Sequence, residues 1–328
     1  MKVLVTGGGS LLGQGIIRAL RVSRFHSFVV AVDPISLSAG LYWADAAHLV
    51  PMADAPNYAE RLYELLRAER PDFVFLGTDV ELAIFARYRR AWEEDLNIQV
   101  VVSPPEVIAI ADDKWKTYQF LKEAGFSCPD SVLPGDEACL IERVGFPLIV
   151  KPRIGARSVG VNIVGNREEL RRVLTPKSII QECVATDRDE YTAGSLTFGT
   201  CEASIVMRRT LRDGNTYCAF VEEYPELNAT VRKLSNALQA YGPANFQFRL
   251  TPDGEVKVFE INARLSGTTP LRARAGFNEV EMIIDYLLNG IPIQQPVVKP
   301  LVILRHWDET IVTPEAIKQI ELSAGKGV

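Results

Sequence analysis

Two oxygen-bearing side chains stand two residues apart in the stretch VKVFEINAR, which ends at Arg264. The alternating pattern predicts a β-strand that carries Glu260 and Asn262 on one face, with Val258 on the same face and Phe259 on the other. A carboxylate and an amide oxygen suit a hard cation such as Mg²⁺, and the Arg264 guanidinium suits a phosphate. The alternative interpretation is a solvated strand face without a function. The elements around this strand distinguish the two interpretations.

A second strand precedes this one, and the turn signal TPDG at residues 251–254 joins them as a hairpin. A loop with an even number of residues places Gln247 opposite Glu260 and Asn245 opposite Asn262. A three-residue loop with a bulge would move Gln247 to the other face. We predict the even loop, because it gathers four oxygen-bearing side chains on one face.

An upstream segment has the chemistry of a phosphate site. Lys151 ends an apolar strand, and the loop after it contains Gly155, Ser158 and Gly160. An ammonium, a hydroxyl and unhindered backbone N–H groups can bind phosphate oxygens. The segment lacks the GxxxxGK[ST] pattern of a Walker loop.

Strands and helices alternate over about the first 105 residues, which predicts a doubly wound parallel sheet. Gly7, Gly9 and Gly13 follow its first strand, and Asp33 ends the second. This spacing is also that of a dinucleotide site, so an NAD-dependent short-chain oxidoreductase is one alternative. The second half predicts an α+β region whose sheets are mostly antiparallel, with a loose tail at the C-terminus.

The composition is that of a globular protein of 328 residues with a net charge of -5, which argues against a nucleic-acid partner. The five cysteines form no CxxC pair, and no run predicts a signal peptide or a membrane span. We therefore expect a cytoplasmic protein with no membrane or nucleic-acid partner.

Taken in order, these pieces resemble the ATP-grasp superfamily, and most closely the modules of the carbamoyl-phosphate synthase large subunit and related carboxylate–amine ligases. The matching segments are Asp113-Lys114, FPLIVKPRIGARSVGV, IIQECV with Glu190-Tyr191, ANFQFRL and VFEINARLSGTTPLRARAG. The resemblance implies an α/β N-terminal domain (1–108), followed by an ATP-grasp lid with its linker (109–186), an ATP-grasp core (187–300) and a C-terminal tail (301–328).

The resemblance also implies how ATP would bind. Lys114 and Lys151 would contact its phosphates, under a loop that contains Gly155, Ser158 and Gly160. The adenine would be lined by Gln181, Glu182 and Val184. Glu190 would accept hydrogen bonds from the ribose hydroxyls. Gln247, Glu260 and Asn262 would hold one or two Mg²⁺ ions, with Mn²⁺ as a substitute. The expected catalytic residues are Arg264, Lys151 and Arg209, the last preferred over Arg208.

The implied reaction is the ADP-forming activation of a carboxylate as an acyl phosphate, which an amine then attacks. The expected partners are therefore small-molecule carboxylate and amine substrates, with a homodimer as the candidate assembly. A phosphorylating module like that of carbamoyl-phosphate synthase is an alternative.

The acceptor site is less defined by the sequence. Residues 266–269 follow the metal strand, which is the strand that carries Glu260 and Asn262. They offer hydroxyl and backbone groups for a substrate. Arg272 and Arg274 either anchor an anion or form a solvated helix face. Asp79, at the end of a parallel strand, either meets an amine or caps the next helix.

Overall fold

The computed structural model describes residues 1–155, 159–184 and 190–324, and three β-sheets organise this part of the chain. One is parallel and two are antiparallel, which confirms the predicted α/β and α+β fold class. No helix in these ranges combines the length and the apolar content that a bilayer span requires. The domain boundaries at 108, 186 and 300 stay a prediction.

The N-terminal unit is a parallel five-stranded sheet covered by helices. Its strand order is β3-β2-β1-β4-β5. The elements are β1 (Lys2–Val5), α1 (Leu11–Arg21), β2 (Phe28–Asp33), a 3₁₀ helix (Ala39–Trp43), β3 (Ala46–Leu49), α2 (Tyr58–Glu69), β4 (Phe73–Phe75), α3 (Leu82–Leu96) and β5 (Gln99–Val101). The central strands are apolar and buried on both faces, as in other parallel sheets. The 3₁₀ helix and β3 were not predicted, since the short segment AAHL has too few residues for a periodic signal.

The glycines of the first turn are required by close packing. A Cβ on Gly13 would lie 2.2 Å from the carbonyl oxygen of Gly7. The carboxylate of Asp33 is already engaged, because it accepts from the Gly9 N–H at 2.7 Å and from Ser38 Oγ at 2.7 Å. The turn is therefore closed by its own contacts, and Asp33 does not point a free carboxylate at a ribose.

The middle unit is a small antiparallel sheet with the strand order β6-β9-β7-β8. Its elements, with the two helices that lead to it, are α4 (Pro105–Asp112), α5 (Lys114–Glu123), β6 (Ser131–Val132), α6 (Glu137–Val144), β7 (Leu148–Pro152), β8 (Asn162–Val164), α7 (Arg167–Val173) and β9 (Ser178–Glu182). Leu140 of α6 and Leu170 of α7 pack on the sheet in a separate small core. Helix α6 was not predicted from the sequence.

The third unit is a six-stranded antiparallel sheet with the order β14-β13-β10-β11-β12-β15. Its elements are β10 (Glu190–Phe198), β11 (Cys201–Arg212), β12 (Asn215–Val221), α8 (Pro225–Leu238), β13 (Gly242–Leu250), β14 (Val256–Asn262), α9 (Thr269–Arg274), α10 (Glu279–Asn289), β15 (Leu301–Leu304) and α11 (Pro314–Ala324). Helices pack on both faces, so the strands alternate between two cores. This sheet carries most of the predicted site residues.

The C-terminal tail is not loose, and that prediction is wrong. Strand β15 pairs antiparallel with β12, joining Ile303 to Ala219 and Val302 to Phe220. Helix α11 then packs against β3 of the N-terminal sheet. This strand could not be predicted from the sequence, because the prolines at 292–300 are typical of an irregular segment.

The two interpretations of Arg272 from the sequence, an anchor for a substrate anion or part of a solvated helix face, are also wrong. Its guanidinium is fully buried and forms a two-bond ion pair with Glu279, at 2.8 and 3.0 Å. It also donates to the hydroxyls of Thr268 and Ser266. A Cβ on Gly194 of β10 would lie 2.6 Å from the guanidinium carbon, so a glycine gives this ion pair its space. Arg272 therefore holds the 266–269 loop on α10 and reaches no substrate, whereas Arg274 is exposed.

We expect Glu279→Gln to lower the free energy of unfolding by about 3–5 kcal/mol, because it leaves the buried Arg272 cation without an anion. Denaturant titration followed by circular dichroism measures this change. Glu281→Gln is the matched control, since Glu281 lies 3.9 Å from the exposed Arg24 and should contribute less than about 1 kcal/mol. Equal effects of the two substitutions would show that the buried pair carries no special weight.

Candidate active site

A cavity of about 240 Å³ lies between the four-stranded and the six-stranded sheet. Most of the residues predicted from the sequence meet in its lining: Lys114, Lys151, Gly155, Gln181, Glu182, Val184, Glu190, Arg209, Gln247 and Glu260. Asn262 and Arg264 lie beside Glu260 but do not line the cavity, and neither does Gly160. Ser158 lies outside the described residues. The cavity is thus built from segments that are up to 146 residues apart in sequence.

The hairpin of β13 and β14 pairs Asn245 with Asn262 and Gln247 with Glu260, which confirms the predicted pairing. The predicted even loop is wrong. The Thr251 N–H donates to the carbonyl of Glu255 at 2.9 Å, so the loop has three residues, 252–254. A one-residue bulge in β14 then corrects the register. The two irregularities cancel, and Gln247 returns to the side of Glu260.

The bulge falls at Phe259, between the pairs Gln247–Glu260 and Phe248–Val258. It reverses the faces that alternation predicts for Val258 and Phe259. Val258 is 2% exposed and packs in the core, whereas Phe259 turns toward the cavity. An aromatic wall therefore replaces the valine that alternation placed there.

The three predicted metal ligands lie together. Asn262 Nδ2 donates to Glu260 Oε1 at 3.1 Å, and Gln247 is directly across the hairpin. Glu260 forms no ion pair within the described ranges, so its charge is available to a cation. No cluster of three or more His, Cys, Asp or Glu side chains suited to a metal occurs in those ranges. One carboxylate with amide oxygens fits Mg²⁺, which commonly takes its other ligands from water and substrate phosphates.

Glu190 forms the charged centre of the cavity wall. Its Oε1 accepts from Arg209 Nε at 3.1 Å and Nη2 at 2.6 Å, and its Oε2 accepts from Arg249 Nη2 at 3.0 Å. Arg209 Nη2 also donates to Gln247 Oε1 at 2.7 Å, so this ion pair positions a predicted metal ligand. A carboxylate has about four acceptor positions, which leaves one on Glu190 for a ribose hydroxyl.

Lys151 is a buried cation on β7. Its ammonium donates to Gln181 Oε1 at 2.8 Å and lies 5.6 Å from the ring centroid of Phe259. The pKa of Lys151 is lowered from 10.5 to about 8, mainly by burial and also by the nearby Lys114, while the charges of Glu260 and Glu190 partly offset these effects. The side chain is thus held at the cavity in an environment that favours added negative charge.

Lys114 joins the loop after β7 to helix α5. Its Nζ donates to the carbonyl oxygen of Gly155 at 2.7 Å. The preceding Asp113 caps α5 by accepting from the Trp115 N–H at 2.9 Å, and it also accepts from Arg153 Nε at 3.1 Å. These contacts fix the start of the loop, so Lys114 and Lys151 reach the cavity from two different elements.

The residues predicted to meet an adenine lie at the end of β9. Gln181 Nε2 donates to Ser131 Oγ at 2.9 Å, and the Glu182 carboxylate accepts from Lys257 Nζ at 2.8 Å. The carbonyl of Val184 accepts from Arg249 Nη1 at 3.3 Å. The adjoining wall is apolar and includes Ile149, Val161, Ile163, Leu211 and Phe259. A flat apolar group bordered by backbone donors and acceptors fits such a wall.

Arg264 is held by the N-terminal sheet. Its Nε donates to Asp79 Oδ1 at 2.7 Å and its Nη2 donates to Asn262 Oδ1 at 2.9 Å. Asp79 therefore neither caps α3 through its side chain nor presents a free carboxylate to an amine. Of the two arginines weighed on β11, only Arg209 lines the cavity. Arg208 lies 4.1 Å over the ring of Phe220.

Sequence reasoning missed Arg249 and Phe259. Arg249 stands two residues after Gln247, so alternation places both on the same strand face. This pattern was sufficient to predict that Arg249 lies in the site. Phe259 could not be found in this way, because its position depends on the bulge.

Three family models match the chain. They are described as PylC-like, N-terminal domain (residues 3–101), RimK-like ATP-grasp domain (residues 111–193) and ATP-grasp in the biosynthetic pathway with Ter operon (residues 181–310). Curated relatives include the carbamoyl phosphate synthase large chain of Thermotoga neapolitana, 25% identical over 84% of this chain and 27% of the relative. The arginine-specific large chain of Schizosaccharomyces pombe is 24% identical over 84% of this chain and 26% of the relative. The chain spans about a quarter of the length of these relatives.

Solved structures show the same fold. N5-carboxyaminoimidazole ribonucleotide synthetase from Thermotoga maritima superposes with a TM-score of 0.68 and 21% identity, covering 90% of this chain and 77% of that one. The biotin carboxylase domain of the Hydrogenobacter thermophilus 2-oxoglutarate carboxylase, solved with MgADP and bicarbonate, gives 0.70 and 19%, with 87% and 68% covered. Two of the three models are ATP-grasp models and together match residues 111–310, so this part of the chain is an ATP-grasp domain. Within that superfamily, the chain resembles the carbamoyl phosphate synthase large chain and the carboxylate–amine ligases.

We expect the lowered pKa of Lys151 to appear in the pH dependence of stability. Between about pH 8 and 10.5, the unfolded chain keeps a proton on Lys151 that the folded chain has lost, so this residue adds stability as the pH rises. Lys151→Met removes this contribution. The free energy of unfolding of the wild type should therefore rise relative to that of the variant across this window, as measured by urea titration without nucleotide. A constant difference from pH 7.5 to 10 would contradict the buried, destabilised charge.

Proposed function

We propose that the protein is an ATP- and Mg²⁺-dependent ligase that activates a carboxylate as an acyl phosphate and joins it to an amine, with release of ADP. The observation that carries the proposal is one cavity bordered by Lys114 and Lys151 on one side and by Gln247 and Glu260 on the other. Four basic and three acidic side chains line it, and one of the acids, Glu182, is already paired with Lys257. The balance favours an anionic ligand.

The nucleotide would lie between the two antiparallel sheets. Its adenine would occupy the apolar wall near Gln181, Glu182 and Val184, and Glu190 would accept from a ribose hydroxyl. Its phosphates would reach the ammonium groups of Lys114 and Lys151, beneath the loop that contains Gly155 and Gly160. An amide backbone and two ammonium groups are suitable donors for phosphate oxygens.

Glu260, Gln247 and Asn262 would hold Mg²⁺ at the phosphate end of the cavity. When bound, this ion supplies positive charge that neutralises the phosphate oxygens. Two arginines would orient the side chains of these metal ligands, since Arg209 donates to Gln247 and Arg264 donates to Asn262. Mn²⁺ satisfies the same oxygen donors.

The chain's own side chains would act mainly by position and charge. A carboxylate oxygen of the acid attacks the γ-phosphorus of ATP, the bond to the bridging oxygen breaks, and ADP leaves. Lys151, Arg209 and Arg264 would supply three cations near the negative charge of this transfer. The amine then attacks the acyl carbon, inorganic phosphate leaves, and the amine loses a proton to solvent. No histidine is needed for either step.

The similarity to the carbamoyl phosphate synthase large chain favours a second candidate, a module that phosphorylates a small acid and passes the product on. The NAD alternative has lost its support, because Asp33 and the glycine turn are closed by internal contacts. Both ATP-dependent candidates predict substrate-dependent release of ADP. They differ in whether an amine is consumed.

We expect the wild type to release ADP from MgATP in the presence of one acid and one amine from a matrix of amino acids and small carboxylates. Glu260→Gln should lower this rate by at least about 100-fold, since it removes the one carboxylate of the proposed metal site. A coupled ADP assay, with mass spectrometry of the product, measures both the rate and the bond formed.

Glu255→Gln is the matched control, because Glu255 is exposed in the same hairpin. Circular dichroism and the unfolding midpoint establish that both variants are folded. Unchanged ADP release in the folded Glu260→Gln variant would overturn the metal assignment. Release of ADP without consumption of any amine would favour the second candidate.

A further inference from the structure

One arginine near the cleft has no part in the function proposed above. Arg305 follows β15, and its Nη2 donates to the carbonyl oxygen of Gly267, in the 266–269 loop after the metal strand. Its backbone N–H donates to the carbonyl of Tyr217 at 3.0 Å, which continues the pairing of β15 with β12. Among the described residues, no carboxylate lies within ion-pair distance of its guanidinium.

The sheet register places Arg305 on the face that carries the site. Arg209 pairs with Ala219, and Ala219 pairs with Ile303. Residues that pair directly project to the same face, as do residues two apart on one strand. Arg305 stands two residues after Ile303 and keeps the strand pairing, so its side chain lies on the same face as Arg209.

The charges around Arg305 are positive. Burial and the charges of Arg18 of α1 and Arg209 of β11 together lower its pKa to about 10. A partly buried guanidinium beside other cations is costly unless an anion accompanies it. Its Nη2 bond to Gly267 uses one of five N–H donors, so a planar bidentate acceptor can still be bound.

The position of Arg305 favours the second substrate over the nucleotide. Arg305 does not line the 240 Å³ cavity. It lies instead beside Gly267, and β15 is the edge strand of the sheet, two strands beyond β11 with Arg209. Gly267 follows Asn262 and Arg264 in the chain, so an acid bound at Arg305 would lie beside the loop that leads on from the proposed metal ligands.

We propose that Arg305 binds the carboxylate group of the acid that the enzyme activates, so that β15 completes the acceptor side of the active site. The identity of the reaction rests on the proposed function, whereas the binding of a carboxylate rests on Arg305 and its neighbours. The proposal makes a strand from the predicted tail part of the site.

A binding measurement tests the carboxylate site without any assumption about catalysis. Sodium malonate is the probe, and sodium chloride at equal ionic strength is the reference. Malonate should raise the unfolding midpoint of the wild type and of Arg90→Gln, whose side chain is exposed on α3. Arg305→Gln should lose this shift and Arg305→Lys should keep part of it. An equal malonate shift in the wild type and in Arg305→Gln would overturn the proposal.

Steady-state kinetics distinguish an acid contact from a nucleotide contact. With the acid that gives the fastest ADP release, Arg305→Gln should raise the KM for the acid by about 10- to 100-fold, the loss expected for a charge-assisted hydrogen bond. The KM for ATP should stay within about twofold. A matching rise in the KM for ATP, or a lower kcat with an unchanged KM for the acid, would overturn the assignment. If the wild type releases no ADP with any acid, the proposed function fails, and the malonate result alone decides whether Arg305 binds carboxylates.

Discussion

The ion pairs of Glu190 hold the wall of the cavity together, because this one buried carboxylate joins three strands. Glu190 lies on β10, Arg209 on β11 and Arg249 on β13, and all three side chains face the cavity. Each arginine also has a second role, since Arg209 orients Gln247 and Arg249 binds the carbonyl of Val184. A buried carboxylate shared by two guanidinium groups is stable only when all three are present. The proposed metal site and the proposed adenine site therefore depend on the same charge.

A second constraint is the register of the β13–β14 hairpin. The alternation of side chains has a period of two, so a slip of one residue would turn Glu260 away from Gln247. The three-residue loop introduces such a slip, and the bulge at Phe259 removes it. The bulge also brings Phe259 to the cavity, 5.6 Å from the Lys151 ammonium. One extra residue thus restores the oxygen-bearing face and adds an aromatic surface.

The sequence predicted the elements whose signals are local and repeated. The parallel sheet followed from the alternation of apolar strands and amphipathic helices, and Gln247 and Glu260 followed from alternation across a recognisable turn. The loop length and the bulge could not be predicted, because a three-residue loop combined with a bulge gives the same pairing of Gln247 with Glu260 as an even loop and no bulge. The sequence predicted that Arg272 either anchors an anion or lies on a solvated helix face, and only the space at Gly194 and the anion at Glu279 make it a core residue. Long-range compensation of this kind leaves no periodic pattern in the sequence.

The cleft is built with more positive charge than its own carboxylates balance. Burial and the charge of Lys114 depress the pKa of Lys151, and burial with the charges of Arg18 and Arg209 depresses that of Arg305. Both effects destabilise the protein when no ligand is bound, and an anion that binds there removes part of that cost. Because the cations are fixed by Gln181, Gly155 and Gly267, they need little rearrangement when negative charge arrives. The same unbalanced charge that destabilises the protein without a ligand therefore favours the binding of anions in the cleft.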